Sequence, residues 1–237
     1  MADSWLLFVY PPVSASGGLA LIRRVGPLPK PFLKWAGGKA QLLPELVARV
    51  DAARPFRRYH EPFVGGGALF FELYNTKRLR AEVCLSDNNP NLIDAYLGVR
   101  DCVEEVIALL KEHKARHSKE YYYEMRATVP EDLPARAARI IYLNRTCFNG
   151  LYRENSRGLF NVPMGRYANP LICDEENLRA VSCALASARI ECRPFETVLK
   201  EAEPKDLVYF DPPYHPVSKT AYFTSYDKNG FGEAEQR

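Results

Sequence analysis

Asp211-Pro212-Pro213-Tyr214 sets a carboxylate, a rigid backbone and an aromatic ring side by side. The apolar run before it, Leu207-Val208-Tyr209-Phe210, reads as a buried strand. Two prolines then stop that strand, because neither can donate to a sheet ladder. In an open α/β sheet, ligands bind outside the C-terminal ends of the strands. The set suits an exocyclic aromatic amine, a poor nucleophile because its lone pair is delocalised into the ring. A carboxylate and a backbone carbonyl can accept its two N–H hydrogens, hold the nitrogen nearer to tetrahedral and free the lone pair. The Tyr ring can stack on the base. A strand-ending Asp-Pro turn is the plainer reading of the same residues.

Two glycine clusters lie upstream. Lys34-Trp35-Ala36-Gly37-Gly38-Lys39 precedes a helix-like stretch, and Glu61-Pro62-Phe63-Val64-Gly65-Gly66-Gly67 enters the apolar segment from Ala68 to Tyr74. Glycines between a strand and a helix let a ligand approach the backbone closely. Leu85-Ser86-Asp87-Asn88-Asn89 ends another strand-like run about twenty residues later. A carboxylate at that offset can bind a ribose hydroxyl. The plainer reading is a glycine turn followed by an Asp that caps the next helix.

With these motifs in this order, the chain resembles the Dam-type DNA adenine methyltransferases from about Pro31 to its last residue. The middle segments Leu143-Asn144-Arg145-Thr146-Cys147-Phe148-Asn149-Gly150-Leu151-Tyr152-Arg153 and Arg157 to Tyr167 belong to the same pattern. The resemblance implies methyl transfer from S-adenosylmethionine to the N6 amino group of adenine in duplex DNA, at GATC or a similar site. It implies that the target adenine flips out of the stack, that Asp211 and the Pro212 carbonyl hold the amine, and that Tyr214 stacks on the base. Pro213 completes that motif. Trp35, Lys39, Asp87 and Asp211 would contact the cofactor, with Phe63 and Gly65 lining its pocket. Leu151 and Arg153 match base-reading residues, Phe148 an intercalating aromatic and Asn149 its neighbour on the DNA backbone. Pro163, Arg166 and Tyr167 align with further base contacts. Phe148 replaces the usual Tyr, which keeps the ring and loses a hydroxyl.

These residues need a scaffold. Strands at Arg57–Glu61, Ala81–Ser86, Arg189–Cys192 and Leu207–Phe210 alternate with helices at Lys39–Ala53, Asn91–Tyr96, Val103–Lys114, Pro134–Cys147 and Glu175–Ala188. That alternation predicts an α/β protein with a mostly parallel, Rossmann-like methyltransferase sheet and a helical target-recognition insertion. The expected division is an N-terminal extension, 1–28, a split cofactor-binding domain, 29–96 and 170–237, and a recognition domain, 97–169. The extension could be a disordered arm, a packed strand or an upstream start. Members of the family continue for several tens of residues beyond the point where this sequence stops. The expectation is therefore a sheet lacking its C-terminal part, with an exposed edge beside the Leu207–Phe210 strand.

Composition permits this reading without requiring it. The chain has 237 residues, 47% hydrophobic, and a formal net charge of +3, which allows a polyanionic partner. Trp5 to Tyr10 is apolar but too short for a membrane span and has no basic residue before it. Six cysteines without metal-site spacing read as buried, reduced thiols of a cytoplasmic protein. His113 and His117 have chelating spacing, yet their charged neighbours favour a solvated helix face, so no metal is expected. Arg136, Arg139, Arg145, Arg153, Arg157 and Arg166 interleave with Tyr142, Phe148, Tyr152, Phe160 and Tyr167, which suits phosphates and bases or an ordinary subdomain with buried rings. A nicotinamide oxidoreductase would also use a glycine loop and an Asp, but it needs G-x-G-x-x-G and leaves Asp211-Pro212-Pro213-Tyr214 unexplained. A cytosine-N4 or RNA methyltransferase would share the amine chemistry. A non-catalytic DNA-binding remnant would carry the same motifs without turnover.

Overall fold

The computed structural model describes residues 27–35 and 41–212, together with the backbone of Leu6–Val9. Its strands are β1 (Leu6–Val9), β2 (Arg58–Glu61), β3 (Glu82–Asp87), β4 (Arg189–Cys192) and β5 (Leu207–Phe210). Its helices are α1 (Leu43–Ala52), α2 (Ala68–Asn75), α3 (Pro90–Asp101), α4 (Val103–Ala115), α5 (Lys119–Ala127), α6 (Leu133–Thr146), α7 (Glu175–Leu185) and α8 (Thr197–Glu201).

The strands form one sheet in the order β1-β5-β2-β3-β4. β2 pairs in parallel with β5 and β3, and β3 with β4, while β1 runs antiparallel along β5. Every parallel step is made by a helical crossover, as parallel pairing requires. The register sets Glu61 beside Leu85 and Asp87 beside Cys192. The C-terminal ends of the four parallel strands therefore open on one edge. β5 reads as a continuous apolar run because Leu207, Val208 and Tyr209 are all buried. The predicted exposed edge beside β5 is not found, because β1 occupies it.

Helix starts follow local chemistry. Asn89 caps α3 by accepting the Leu92 N–H at 3.1 Å, and Asp132 caps α6 by accepting the Ala135 N–H at 2.8 Å. Pro90 and Pro134 sit in the first turns of those helices, where a missing N–H costs nothing. α1 starts at Leu43 and not at Lys39, which lies outside the described residues, and takes Pro44 into its first turn. Three helices, α2, α5 and α8, are not predicted from the sequence, which reads α2 only as an apolar segment. All three are short, below the length at which a 3.6-residue period becomes legible. The division drawn between residues 96 and 97 falls inside α3, which runs unbroken through it.

Three sequence expectations are corrected. His113 is only 8% exposed and shares a 2.6 Å hydrogen bond between Nδ1 and the Tyr121 hydroxyl. His117 likewise pairs Nδ1 with the Tyr142 hydroxyl at 2.9 Å. This side of α4 is thus not a solvated face, because α5 and α6 bring an aromatic cluster onto it. The six thiols are not all buried: Cys84 and Cys147 are, whereas Cys183 and Cys192 are exposed. Arg136, Arg139 and Arg145 serve the fold. Arg139 donates to the carbonyls of Met125 and Arg126, Arg145 to that of Phe32, and Arg136 pairs with Asp94 at 2.7 Å. Among the described residues no helix is long and apolar enough to cross a membrane, and no cluster of metal-ligating side chains occurs.

Residues 29–35 join no strand but are held by side-chain amides. Asn75 donates to the Pro29 carbonyl at 2.9 Å. Asn177 pairs with both the N–H (2.8 Å) and the carbonyl (3.1 Å) of Lys30. Asn144 does the same for Lys34, at 2.7 Å in each direction. Phe32 and Leu33, between these clamps, are buried.

Candidate active site

The turn after β2 is built around glycine. Gly65 and Gly67 have positive φ of 47° and 67°, a conformation that L side chains rarely adopt. A Cβ on Gly65 would also lie 2.8 Å from Trp35 Cδ1, so the indole rests directly on the turn. The Gly65 N–H donates to Asp87 Oδ2 at 3.2 Å, and the Asn89 N–H donates to Oδ1 at 3.0 Å. Asp87 therefore faces the glycine turn from the end of β3. It does not cap α3, since Asn89 takes that role. The Tyr96 hydroxyl donates to the Gly65 carbonyl at 3.0 Å and fixes the turn from below.

Aromatic rings wall the same edge. Phe63 stacks on Phe195 with ring centroids 5.1 Å apart, and Phe210 stands 6.3 Å from Phe63. Asp211 and Pro212 follow directly and are half-buried. Glu61, beside them at the end of β2, is 3% exposed and accepts the Tyr59 hydroxyl at 2.7 Å. Burial pushes its carboxyl up to about 8, the Tyr59 hydrogen bond opposes this, and the nearby Asp211 charge adds to it. Lys39, Pro213 and Tyr214 lie outside the described residues, as do Gly37 and Gly38.

The predicted DNA-facing residues gather on an irregular hairpin that leaves α6. Cys147 bridges Met164 and Glu154 bridges Phe160, with the tip between. Asn149 and Gly150 have φ of 53° and 64°, which turns the chain sharply at the base. Phe148 is exposed (47%), and Asn149, Arg153, Arg157, Pro163 and Arg166 are exposed with it. Leu151 is half-buried against the core. Arg153 donates Nε to Asn161 Oδ1 at 2.6 Å. Tyr167 lies under the Lys34 ammonium, 4.0 Å from Nζ to the ring centroid. Tyr142, Tyr152 and Phe160, read as able to meet bases, are buried and belong to the core.

Comparison with known proteins decides the family. The model of the D12 class N6 adenine-specific DNA methyltransferases matches residues 35–237. The chain belongs to this family. It is 44% identical over 215 residues to a Type II methyltransferase of Lactococcus lactis subsp. cremoris, covering 87% of this chain and 73% of the relative. It is 41% identical over 222 residues to a Type II methyltransferase of Methanocaldococcus jannaschii, covering 87% and 76%. A DNA adenine methylase of Serratia marcescens is 35% identical over 210 residues, covering 87% and 74%.

The edge of this D12 methyltransferase thus brings together Trp35, Phe63, Gly65, Asp87 and Asp211, which are far apart in sequence. Sequence reasoning missed three neighbours. Phe195 enters from the turn after β4, and its only signal was an aromatic three residues beyond a strand end. Lys34 was quoted in a motif but given no role. Tyr152 was read with the recognition aromatics, yet its ring lies 5.2 Å from that of Trp35, which rests on the glycine turn.

Proposed function

We propose that this D12 methyltransferase uses S-adenosylmethionine to methylate the N6 amino group of adenine in duplex DNA, at GATC or a similar site. The convergence of Asp87, the glycine turn, the Phe63–Phe195 wall and Asp211 on one edge carries the reading. These groups fit an adenosyl cofactor: stacked rings suit a base, a carboxylate anchored by backbone N–H groups suits ribose hydroxyls, and glycines admit close approach. Trp35, Lys39, Phe63, Gly65, Asp87 and Asp211 would hold it. When bound, the cofactor supplies an electrophilic methyl group.

Everything else falls to the chain. Asp211 and the Pro212 carbonyl accept the two N–H bonds of the amine, Pro213 keeps that backbone rigid, and Tyr214 stacks on the base. Catalysis then rests on positioning and fixed dipoles. Flipping the adenine out of the duplex costs ~a few kcal/mol, offset by that stacking and by contacts from the hairpin. Phe148 fills the gap, Asn149 meets the backbone, and Leu151, Arg153, Pro163, Arg166 and Tyr167 contact bases. Residues 97–169 form the recognition unit in this reading, and 29–96 with 170–237 the catalytic one.

The test is methyl transfer from radiolabelled S-adenosylmethionine to unmethylated DNA, followed by nucleoside analysis. Label in N6-methyl-2′-deoxyadenosine from the DNA supports the reading. Label in N4-methylcytosine or RNA, or none with folded protein, overturns it. Mapping methylated sites on random duplex DNA tests GATC separately.

A further inference from the structure

We propose that Asn144 is a positioning residue that locks the Lys34–Trp35 segment to both the cofactor turn and the DNA-reading hairpin, so that filling the cofactor site organises the turn at residues 148–150. The proposal rests on the functional reading above. Asn144 is 1% exposed, near the end of α6. Its Oδ1 accepts the Lys34 N–H, and its Nδ2 donates to the Lys34 carbonyl and to the Gly150 carbonyl at 3.2 Å. An amide side chain offers two donors and one carbonyl acceptor, and here all are engaged. No other side chain of similar size can donate twice and accept once in this geometry.

The two residues beside Asn144 face opposite sites. The Lys34 stem fills the space that a Cβ on Gly150 would occupy, 2.5 Å from Lys34 Cβ, and its ammonium covers Tyr167. Trp35 instead packs on Gly65 and Tyr152. From there a closed ring of contacts returns to the cofactor side. The Tyr152 hydroxyl accepts from Asn91 Nδ2 at 2.8 Å. Asn91 lies in the first turn of α3, one residue past the Asp87-Asn88-Asn89 turn, and Asp87 in turn accepts from Gly65. A group that orders Trp35, Gly65 and Asp87 therefore orders Tyr152, and through Lys34 and Asn144 it orders Gly150. Asn144 is buried and is not among the residues proposed to hold cofactor or DNA.

The test uses sinefungin, an unreactive S-adenosylmethionine analogue, and a GATC duplex. Saturating sinefungin should tighten duplex binding by wild-type protein about tenfold, but less than about twofold in Asn144→Ala and Asn144→Asp. Asn144→Asp keeps the acceptor for the Lys34 N–H and lacks both donors. Sinefungin should still saturate both variants, though more weakly because the Lys34–Trp35 segment is released, whereas a general loss of structure would abolish its binding. In unmodified protein without DNA, sinefungin should slow hydrogen exchange at the Gly150 and Leu151 amides. Undiminished coupling in a folded variant overturns the proposal. So does exchange protection that stops at residues 61–67 and 85–90, a result that stands even if both variants misfold. Wild-type protein that fails to bind sinefungin overturns the functional reading as well, which sets that failure apart.

Discussion

Glu61 and Asp211 stand close together at the ends of neighbouring strands, and burial separates their behaviour. Glu61 holds its proton because ionisation inside the sheet would strip water from the charge, which takes its carboxyl from the ordinary 4.5 to about 8. The folded chain thus binds this proton more tightly than the unfolded chain. Its stabilising contribution is complete below pH 4.5 and is lost as pH rises to about 8. Glu61→Gln keeps an oxygen for the Tyr59 hydroxyl and removes the titration. Denaturant unfolding across this window should show wild type losing stability relative to Glu61→Gln as pH rises. A constant difference would mean that Glu61 is ionised in the fold. In the proposed mechanism the Asp211 carboxylate accepts an amine N–H. Asp211→Ala should therefore lower the single-turnover methylation rate by ~10²–10³-fold or more, with duplex binding in gel-shift titrations nearly unchanged. Near-normal turnover would remove Asp211 from the mechanism.

The helix pair α3 and α6 sets where the hairpin at residues 147–164 leaves the fold. Gly98 on α3 makes their close crossing possible, since a Cβ there would fall 2.3 Å from Ala137 Cβ. Gly98→Ala would gain up to ~1 kcal/mol of helix propensity. Overpacking at a rigid helix contact costs ~1–3 kcal/mol, and two Cβ atoms leave no flexible end to yield, so the cost wins. The variant should show a lowered denaturation midpoint and a larger fractional loss of methylation than of cofactor binding, because the hairpin moves with α6. A stabilised variant would show that the crossing has slack.

Over the whole molecule, a formal net charge of +3 hides an uneven distribution of arginines. Arg139 and Arg145 spend their charge inside the fold on backbone carbonyls, whereas Arg153, Arg157 and Arg166 are exposed on one hairpin. DNA affinity should therefore rest on few contacts and fall with salt accordingly. Within the hairpin, Asn161 holds the Arg153 guanidinium through Nε at 2.6 Å and, more loosely, one terminal nitrogen at 3.4 Å, so a fork onto the N7 and O6 acceptors of a guanine would have to displace that longer bond. Arg153→Ala should relax preference at one guanine by ~1–3 kcal/mol, while Arg157→Ala should weaken all sequences alike and reduce the salt slope by about one. Competition binding with single-base variants, repeated at several salt concentrations, separates the two. If Arg153→Ala weakens every sequence equally, its base-reading role is wrong and the family assignment is untouched.

The sequence by itself determined the elements and the reaction class. Leu207–Phe210, Arg189–Cys192 and the proline-marked start of α6 are legible because strand runs, turn residues and first-turn prolines act on their immediate neighbours. Asp211-Pro212-Pro213-Tyr214 and Asp87 stand out in the sequence as local signals, and of these the structure describes Asp87, Asp211 and Pro212, each at a strand end. Only the tertiary structure decided which polar side chains are buried, because burial depends on which faces meet. His113 lost its solvated face to α5 and α6, Arg139 and Arg145 turned inward to backbone carbonyls, and Tyr152 packed on Trp35. Phe195 reached Phe63 only because parallel strands end on one edge, and Glu61 is neutral only because the sheet closes around it. Asn144 gave no local signal at all: its amide matters through Lys34 and Gly150, which packing alone brings within its reach.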